Sequence, residues 1–307
     1  MKLPGALTLA ELLPVAQAGG FAVAAFSARY LACVRPVVEA ALQTDSPLIV
    51  EISQRELGWF AVTPRAFRDA LERALYETGA DVPFALHLDH TWELPVIEAA
   101  VEAGFSSVMI DASALPFEEN VALTRRVVEY AHRHGVSVEA ELGRLTTTDK
   151  LESENDEAMY TVPEEAREFV RRTGCDALAV SVGTAHGVYP VKNPRIDFER
   201  LAAIRALLPD TPIVLHGGSG LPEETVHRAI RLPGGGISKM NVATDLENAL
   251  LGAMGGLKRM TSAELDALPE ELRVLGLEAV RREARDKIER FVLSAGRASA
   301  YRPGVEG

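Results

Sequence analysis

The chain has 307 residues, 47% of them hydrophobic and 25% charged, long enough to bury one large core or two small ones. Its formal charge of −12 argues against nonspecific binding to nucleic acid or anionic membrane, because counterion release needs clustered Lys and Arg. The first thirty residues lack a basic stretch leading into a long apolar run, and no stretch reaches ~18 uninterrupted apolar residues. With Cys33 and Cys175 on separate helix and strand segments, the expectation is a cytoplasmic protein without a disulfide framework.

Short β-rich runs recur along the chain: Phe21–Phe26, Pro47–Ser53, Pro83–Asp89, Ser107–Asp111, Ser137–Leu142, Ala177–Val182, Pro212–Gly217 and Ile237–Val242. Helix signals fill the gaps. Thr161-Val-Pro163-Glu-Glu supplies acids and a first-turn proline with Gly174 as the stop, and Leu221-Pro222-Glu-Glu opens another helix in the same way. Eight strands alternating with helices, with no Gly/Ser linker between them, predict a single-domain α/β chain folded as a (β/α)8 TIM barrel over residues 1–307. Residues 246–300 supply the last barrel helix and a C-terminal helical extension, in which Thr261-Ser-Ala-Glu264 has capping-box spacing.

Two loops stand out. Residues 143–161 follow the fifth strand and hold Asp149, Glu152, Glu154, Asp156 and Glu157; they form either a solvated loop or a mobile flap on the face where barrel active sites form. Pro233-Gly-Gly-Gly236 precedes a strand instead, so it reads as a turn at the opposite, stability face.

Ser53, Asp89, His90, Asp111, Glu141, His186, His216 and Asn241 all fall at or just beyond strand C-termini, which converge on one mouth in a barrel. His90, His186 and His216 close their strands alike, and three imidazoles with an open position are what a catalytic zinc site needs. His132, His134 and His227 lie in helices, and His87, two residues before Asp89, is expected to point into the barrel. Glycine turns follow both later histidines, at Gly187 and at Gly217-Gly-Ser219-Gly220. With Asn241 and Thr244 they make a candidate phosphate cradle.

The pieces His87-Leu-Asp-His90, Val138-Glu-Ala-Glu-Leu-Gly143, Gly183-Thr-Ala-His-Gly187, Leu215-His-Gly-Gly-Ser219 and Lys239-Met-Asn-Val-Ala-Thr244 resemble the class II, zinc-dependent ketose-bisphosphate aldolases, from about Leu9 to Ala298. The resemblance implies a (β/α)8 fold and reversible cleavage of a phosphorylated ketose to dihydroxyacetone phosphate and an aldehyde, usually in a homodimer or homotetramer. Carried over by motif, His90, His186 and His216 would hold Zn2+, Glu141 would approach the metal, and Asp111 would serve a second site or support the first. Asp89 would handle the C4 hydroxyl proton and Asp149 would be the acid of the loop. Gly187, Gly217, Ser219, Asn241 and Thr244 would take the C1 phosphate, assisted by a monovalent cation, Na+ or K+.

The departures bear on substrate and lean toward tagatose-type relatives. Ala243 stands where fructose-type members carry an Asp, and Gln54–Trp59, after Ser53, replaces a Gly-rich segment. Glu247 stands where relatives place a base for the distal phosphate, so a distal group other than phosphate is expected, unless Arg55 supplies recognition. Two alternatives remain at this stage: a metal-dependent hydrolase on the same barrel, which would have no use for a phosphate cradle, and a noncatalytic partner subunit, which would have no need of the histidines and Asp89.

Overall fold

The computed structural model describes residues 2–143, 146–147, 159–186 and 196–302, with the backbone alone at 146–147 and 185–186. Of the expected site residues, Asp149, Gly187 and the side chain of His186 lie outside this description.

Among the described residues ten strands form: β1 Val23–Ser27, β2 Leu48–Ser53, β3 Phe84–Thr91, β4 Ser107–Ile110, β5 Ser137–Leu142, β6 Thr146–Thr147, β7 Ala177–Val180, β8 Ala185–His186, β9 Ile213–Leu215 and β10 Ile237–Val242. Eight close into a parallel barrel in the order β1-β10-β9-β7-β5-β4-β3-β2, and β6 pairs with β8 apart from it. Each barrel strand matches one of the eight sequence runs, because β-branched and small apolar residues there are buried on both faces.

Alternation sorts those residues. Positions such as Val50, Leu86, Val108, Ala140 and Leu178 pack outward against the helices, while Ile49, Ala85, Ala179 and Val214 fill the interior. The helix Leu9–Gly19, started by a Thr8–Glu11 capping box, covers the base of the barrel with Leu9, Leu12, Leu13 and Ala16. Ser137 Oγ accepts the Leu9 N–H at 2.9 Å and pins the start of that helix under β5.

The Thr161 and Leu221 segments start the helices Pro163–Thr173 and Glu223–Ile230, and Gly174 is the left-handed stop of the first. Thr261–Glu264 forms its capping box at the start of Ser262–Asp266, and the C-terminal region continues into Glu270–Asp286. The 233–236 run is a turn below β10. A Cβ on Gly236 would lie 1.8 Å from the Ala229 carbonyl oxygen, so only glycine fits there.

One strand expectation needs correction. β7 ends at Val180, and His186 belongs to the separate strand β8, paired Thr147↔His186 with the segment that follows β5. The apolar run was legible, but the five residues between Val180 and His186 take that histidine out of the barrel wall.

Candidate active site

The residues at the mouth are placed by strand pairing. β2 and β3 align Glu51 with His87 and Ser53 with Asp89. Between Leu88↔Val108 and Thr91↔Ile110, β3 spends one residue more than β4, a bulge at Asp89–His90. Neighbours on a regular strand face opposite sides, and the bulge brings both of these residues to the same mouth.

His90 Nδ1 lies 2.9 Å from Asp111 Oδ2, and the His90 and His216 rings are 4.5 Å apart between centroids. Donor atoms of Asp89, His90 and His216 lie within 4.8 Å of one another, as do those of His90, Asp111 and Glu141. Two imidazoles among carboxylates are a donor set that suits zinc, so the described residues fit that metal. They also brace it. His216 is held at both nitrogens, Nδ1 to Glu141 at 3.0 Å and Nε2 to Glu139 at 2.8 Å. Burial and the charge of His90 oppose protonation of His216, yet the two glutamates outweigh them and push it up to about 9.

Beneath these groups lies a layer of ionisable side chains with no solvent exposure: Glu51, His87, Glu139 and Lys239. His87 Nδ1 meets Ser107 Oγ at 2.9 Å, and burial followed by the Lys239 charge lowers it to about 3, so it is a neutral imidazole. Burial works against the charge on Glu139, but Lys239 and His216 hold its carboxyl at about 2. Burial likewise works against Asp89, and the positive charge of His90 and Lys239 holds its carboxyl well below the usual range. Glu51, Glu139 and Lys239 were missed in the sequence. Their signal was there: ionisable residues in the middle of runs that are otherwise buried strand, and burial followed by the Asp89 charge pushes the Glu51 carboxyl up to about 8.

Above the layer opens a cavity of about 600 Å3 whose wall includes Ser53, Asp89, His90, Gly217, Ser219 and Thr244. Gly217 turns through φ +71°, and a Cβ on Gly218 would lie 2.6 Å from Met240 Sδ and 2.7 Å from the Asn241 carbonyl oxygen. That turn runs against the start of the helix Thr244–Ala253, where Ser219 Oγ accepts the Asp245 N–H at 3.2 Å. Glycine turn, hydroxyl and helix N-terminus together suit an anion. Asn241, expected at the phosphate, lines the same cavity as Gly217, Ser219 and Thr244 and has further partners. Its side chain bridges the charged layer, with Oδ1 2.6 Å from Lys239 Nζ and Nδ2 donating to Asp89 Oδ1 at 3.0 Å.

The far side of the cavity differs most from the sequence reading. Ser53 and Glu56 form a capping box, so Gln54–Trp59 is a helix and presents Arg55 and Trp59 at the rim. Glu247 is not a bare carboxylate facing a ligand. It is buried, 6% exposed, and bonded to Arg29 Nη1 at 2.5 Å and to Arg259 Nε and Nη2 at 2.7 and 2.5 Å. Arg29 also donates to Glu56 at 2.6 Å. Both arginines line the cavity, and Ala243 does too. Arg55 stacks between Trp59 and Trp92, 5.6 and 5.8 Å from their ring centroids, and Arg259 lies 5.0 Å from Trp59. The expected repulsion of a distal anion is therefore cancelled, because tertiary packing gives Glu247 two cationic partners.

His132 and His134 bond to Asp176 and to the Tyr130 carbonyl on the surface, and His227 bonds to the Arg290 carbonyl, all away from the mouth. Among the described residues no helix is long and apolar enough to cross a membrane.

The family model described as fructose-bisphosphate aldolase class-II matches residues 7–297. Among solved structures, the YdjI aldolase from Escherichia coli K12 is 32% identical, with a TM-score of 0.79 over 95% of this chain and 99% of its own. A provisionally assigned fructose-1,6-bisphosphate aldolase from Coccidioides immitis is 28% identical, with a TM-score of 0.75 over 94% and 96%. The fructose-bisphosphate aldolase of Campylobacter jejuni, 24% identical with a TM-score of 0.71 over 90% and 91%, shares the fold. A closed barrel, imidazoles and carboxylates gathered at its mouth and a match across nearly the whole chain lead to one assignment: this chain belongs to the class II fructose-bisphosphate aldolase family and is a carbon–carbon lyase.

Proposed function

We propose that the enzyme cleaves the C3–C4 bond of a ketose 1-phosphate reversibly, giving dihydroxyacetone phosphate and an aldehyde, with one zinc ion per chain. The observation that carries this reading is the gathering of Asp89, His90 and His216 within 4.8 Å beside the Gly217–Ser219 turn. His90, His186 and His216 would hold the metal, with Glu141 and Asp111 braced against it. Bound there, zinc would supply Lewis-acid stabilisation of the negative charge left on the dihydroxyacetone half.

The chain's own groups do the rest. Backbone N–H groups at 217–219 and the start of the Thr244 helix hold the C1 phosphate, fixing C3 and C4 beneath the mouth. Asp89, ionised and 5% exposed, accepts the C4 hydroxyl proton as the bond breaks. Asp149, on the segment after β6, returns a proton to the carbon. The enzyme works in the cytoplasm as a homodimer or homotetramer.

The distal end of the substrate is anionic. Arg29, Arg259 and Arg55 supply three positive charges on that side against the carboxylates of Glu56 and Glu247, which leaves an excess of one. This replaces the repulsion inferred from Glu247 alone.

The test is to strip the protein with a chelator, reload it with zinc, and offer dihydroxyacetone phosphate with neutral, carboxylate-bearing and phosphate-bearing aldehydes. Mass spectrometry and NMR identify each condensed ketose. Full turnover by the stripped protein, or a lysine adduct trapped by borohydride, would refute the metal mechanism. Preference for neutral aldehydes would refute the distal reading alone.

A further inference from the structure

Lys239 is fully buried in the middle of β10, does not line the cavity, and has no part in the reaction as proposed. Its ammonium group donates to Asn241 Oδ1 at 2.6 Å and to Glu139 Oε1 at 3.4 Å, and it lies 3.1 Å from Glu139 Oε2 and 3.3 Å from Glu51 Oε2 as ion-pair contacts. Burial opposes its charge, but Glu139, Glu51 and Asp89 outweigh burial and raise its pKa above the usual lysine value, so Lys239 stays an ammonium and is not available as a nucleophile for a carbonyl.

The chain of contacts running from it has a fixed polarity. Lysine only donates, so the Asn241 atom facing it is the carbonyl oxygen, and an ionised Asp89 only accepts, so the atom facing that residue is the amide nitrogen. Both ends of the amide are thereby specified without reference to a ligand. Asp89 receives this hydrogen bond on Oδ1, and among the described residues no protein hydrogen bond to its Oδ2 competes with a substrate hydroxyl. Asn241 and Lys239 lie two apart on one strand, so the backbone that places one places the other. Glu51 and Glu139, from β2 and β5, hold the ammonium from the opposite side.

We propose that Lys239 is a positioning residue for Asp89: through the Asn241 amide it orients the Asp89 carboxylate so that Oδ2 faces the C4 hydroxyl. The inference rests on the assignment of Asp89 as proton acceptor. It also gives a reason for burying a charged layer under the mouth, where hydrophobic side chains would fill the space at lower cost.

Removing Lys239 alone would strand two buried carboxylates, so the test uses the charge-balanced pair Lys239→Met with Glu51→Gln, together with Asn241→Asp, Asn241→Ala and the triple combination with Asn241→Ala. Two reactions are followed on zinc-loaded protein. One is condensation of dihydroxyacetone phosphate with the aldehyde that the wild type uses best; the other is exchange of the dihydroxyacetone phosphate C3 proton into deuterated water, which involves no C4 hydroxyl. Misorientation of a catalytic group costs about 100-fold. The paired variant and Asn241→Asp should each lose condensation kcat on that scale, while KM, zinc content and C3 exchange stay near wild type. In the Asn241→Ala background the Lys239 pair should cost little more.

Losses that multiply in the triple variant, or that fall equally on condensation and exchange, would make Lys239 a structural charge and overturn the inference. If the paired variant does not fold, Asn241→Asp decides: it still accepts from Lys239 but cannot donate to Asp89, and wild-type condensation in it would overturn the relay. Asp89→Ala is run beside them. Activity in that variant would remove the proposed role of Asp89 itself, whereas an inactive Asp89→Ala with active Lys239 and Asn241 variants removes only this inference.

Discussion

At the base of the barrel Ile49, Ala85, Ala179 and Val214 point inward and meet Leu12 and Ala16 of the first helix, whereas two residues further along β2 and β3 the inward positions hold Glu51 and His87. The same β-sheet changes from a dry apolar plug to a layer of paired charges within a single rise of the strand pleat. The lower half follows the ordinary rule that burying apolar area stabilises a fold, at about 25 cal/mol per Å2. The upper half holds together only while its partners are all present. Removing one member of a buried charged set leaves the others unsatisfied, which typically costs about 3–5 kcal/mol. Apolar packing therefore holds the base and the proposed chemistry lies at the mouth, so substitutions at the two ends should have separable effects.

The largest expected effect is at the mouth. Chelation should abolish cleavage and zinc should restore it, with far-UV circular dichroism unchanged because the apolar base does not depend on the metal; retained turnover after exhaustive chelation would break the comparison. Next, Asp89→Ala should lower kcat by at least ~100-fold while zinc content, measured by elemental analysis, stays at one per chain. A folded, zinc-loaded variant with near-normal kcat would exclude the assigned role.

At the rim the effect should be selective. Arg259→Met or Arg29→Met removes a charge-assisted contact of ~1.5–3 kcal/mol, so kcat/KM should fall about 10- to 100-fold for a substrate with an anionic distal group and stay level for a neutral one. Equal losses on both substrates would mean that the arginines only support Glu247. At the base, Ile49→Val should cost about 1 kcal/mol of stability by denaturant titration and leave kcat unchanged. The smallest effect concerns Cys33 and Cys175, whose thiols burial pushes up to about 12. Both should resist iodoacetamide in native protein at pH 8 and react after unfolding, which peptide mass spectrometry would read.

The eight strands, their order and the side of the barrel carrying the chemistry were legible because alternating β-rich and helical runs leave few closed arrangements, and because ionisable residues stood at the ends of apolar runs. Asp89, His90, His216, Glu141 and Asp111 could be named from those ends together with the motifs that resemble the family. The capping box at Thr261 was read for the same local reason, since that helix start is written within four residues; those at Thr8 and Ser53 are equally local but were not read.

What the chain could not disclose residue by residue was decided by pairing across long separations. Glu247 reads as a lone acid until Arg29, 218 residues away, and Arg259 close on it. Asn241 reads as a candidate phosphate ligand, and the sequence gives no hint that its amide also donates to Asp89, 152 residues away. The bulge that turns His90 to the same side as Asp89 exists only because β4 lies against β3 one residue out of step. Periodicity and local hydrogen bonding are properties of a segment, so sequence alone determined the elements and the family of chemistry. The charge state of a buried group, and which of its atoms are taken up by protein partners, depend on neighbours brought together by closure of the barrel, and only the tertiary structure decided them.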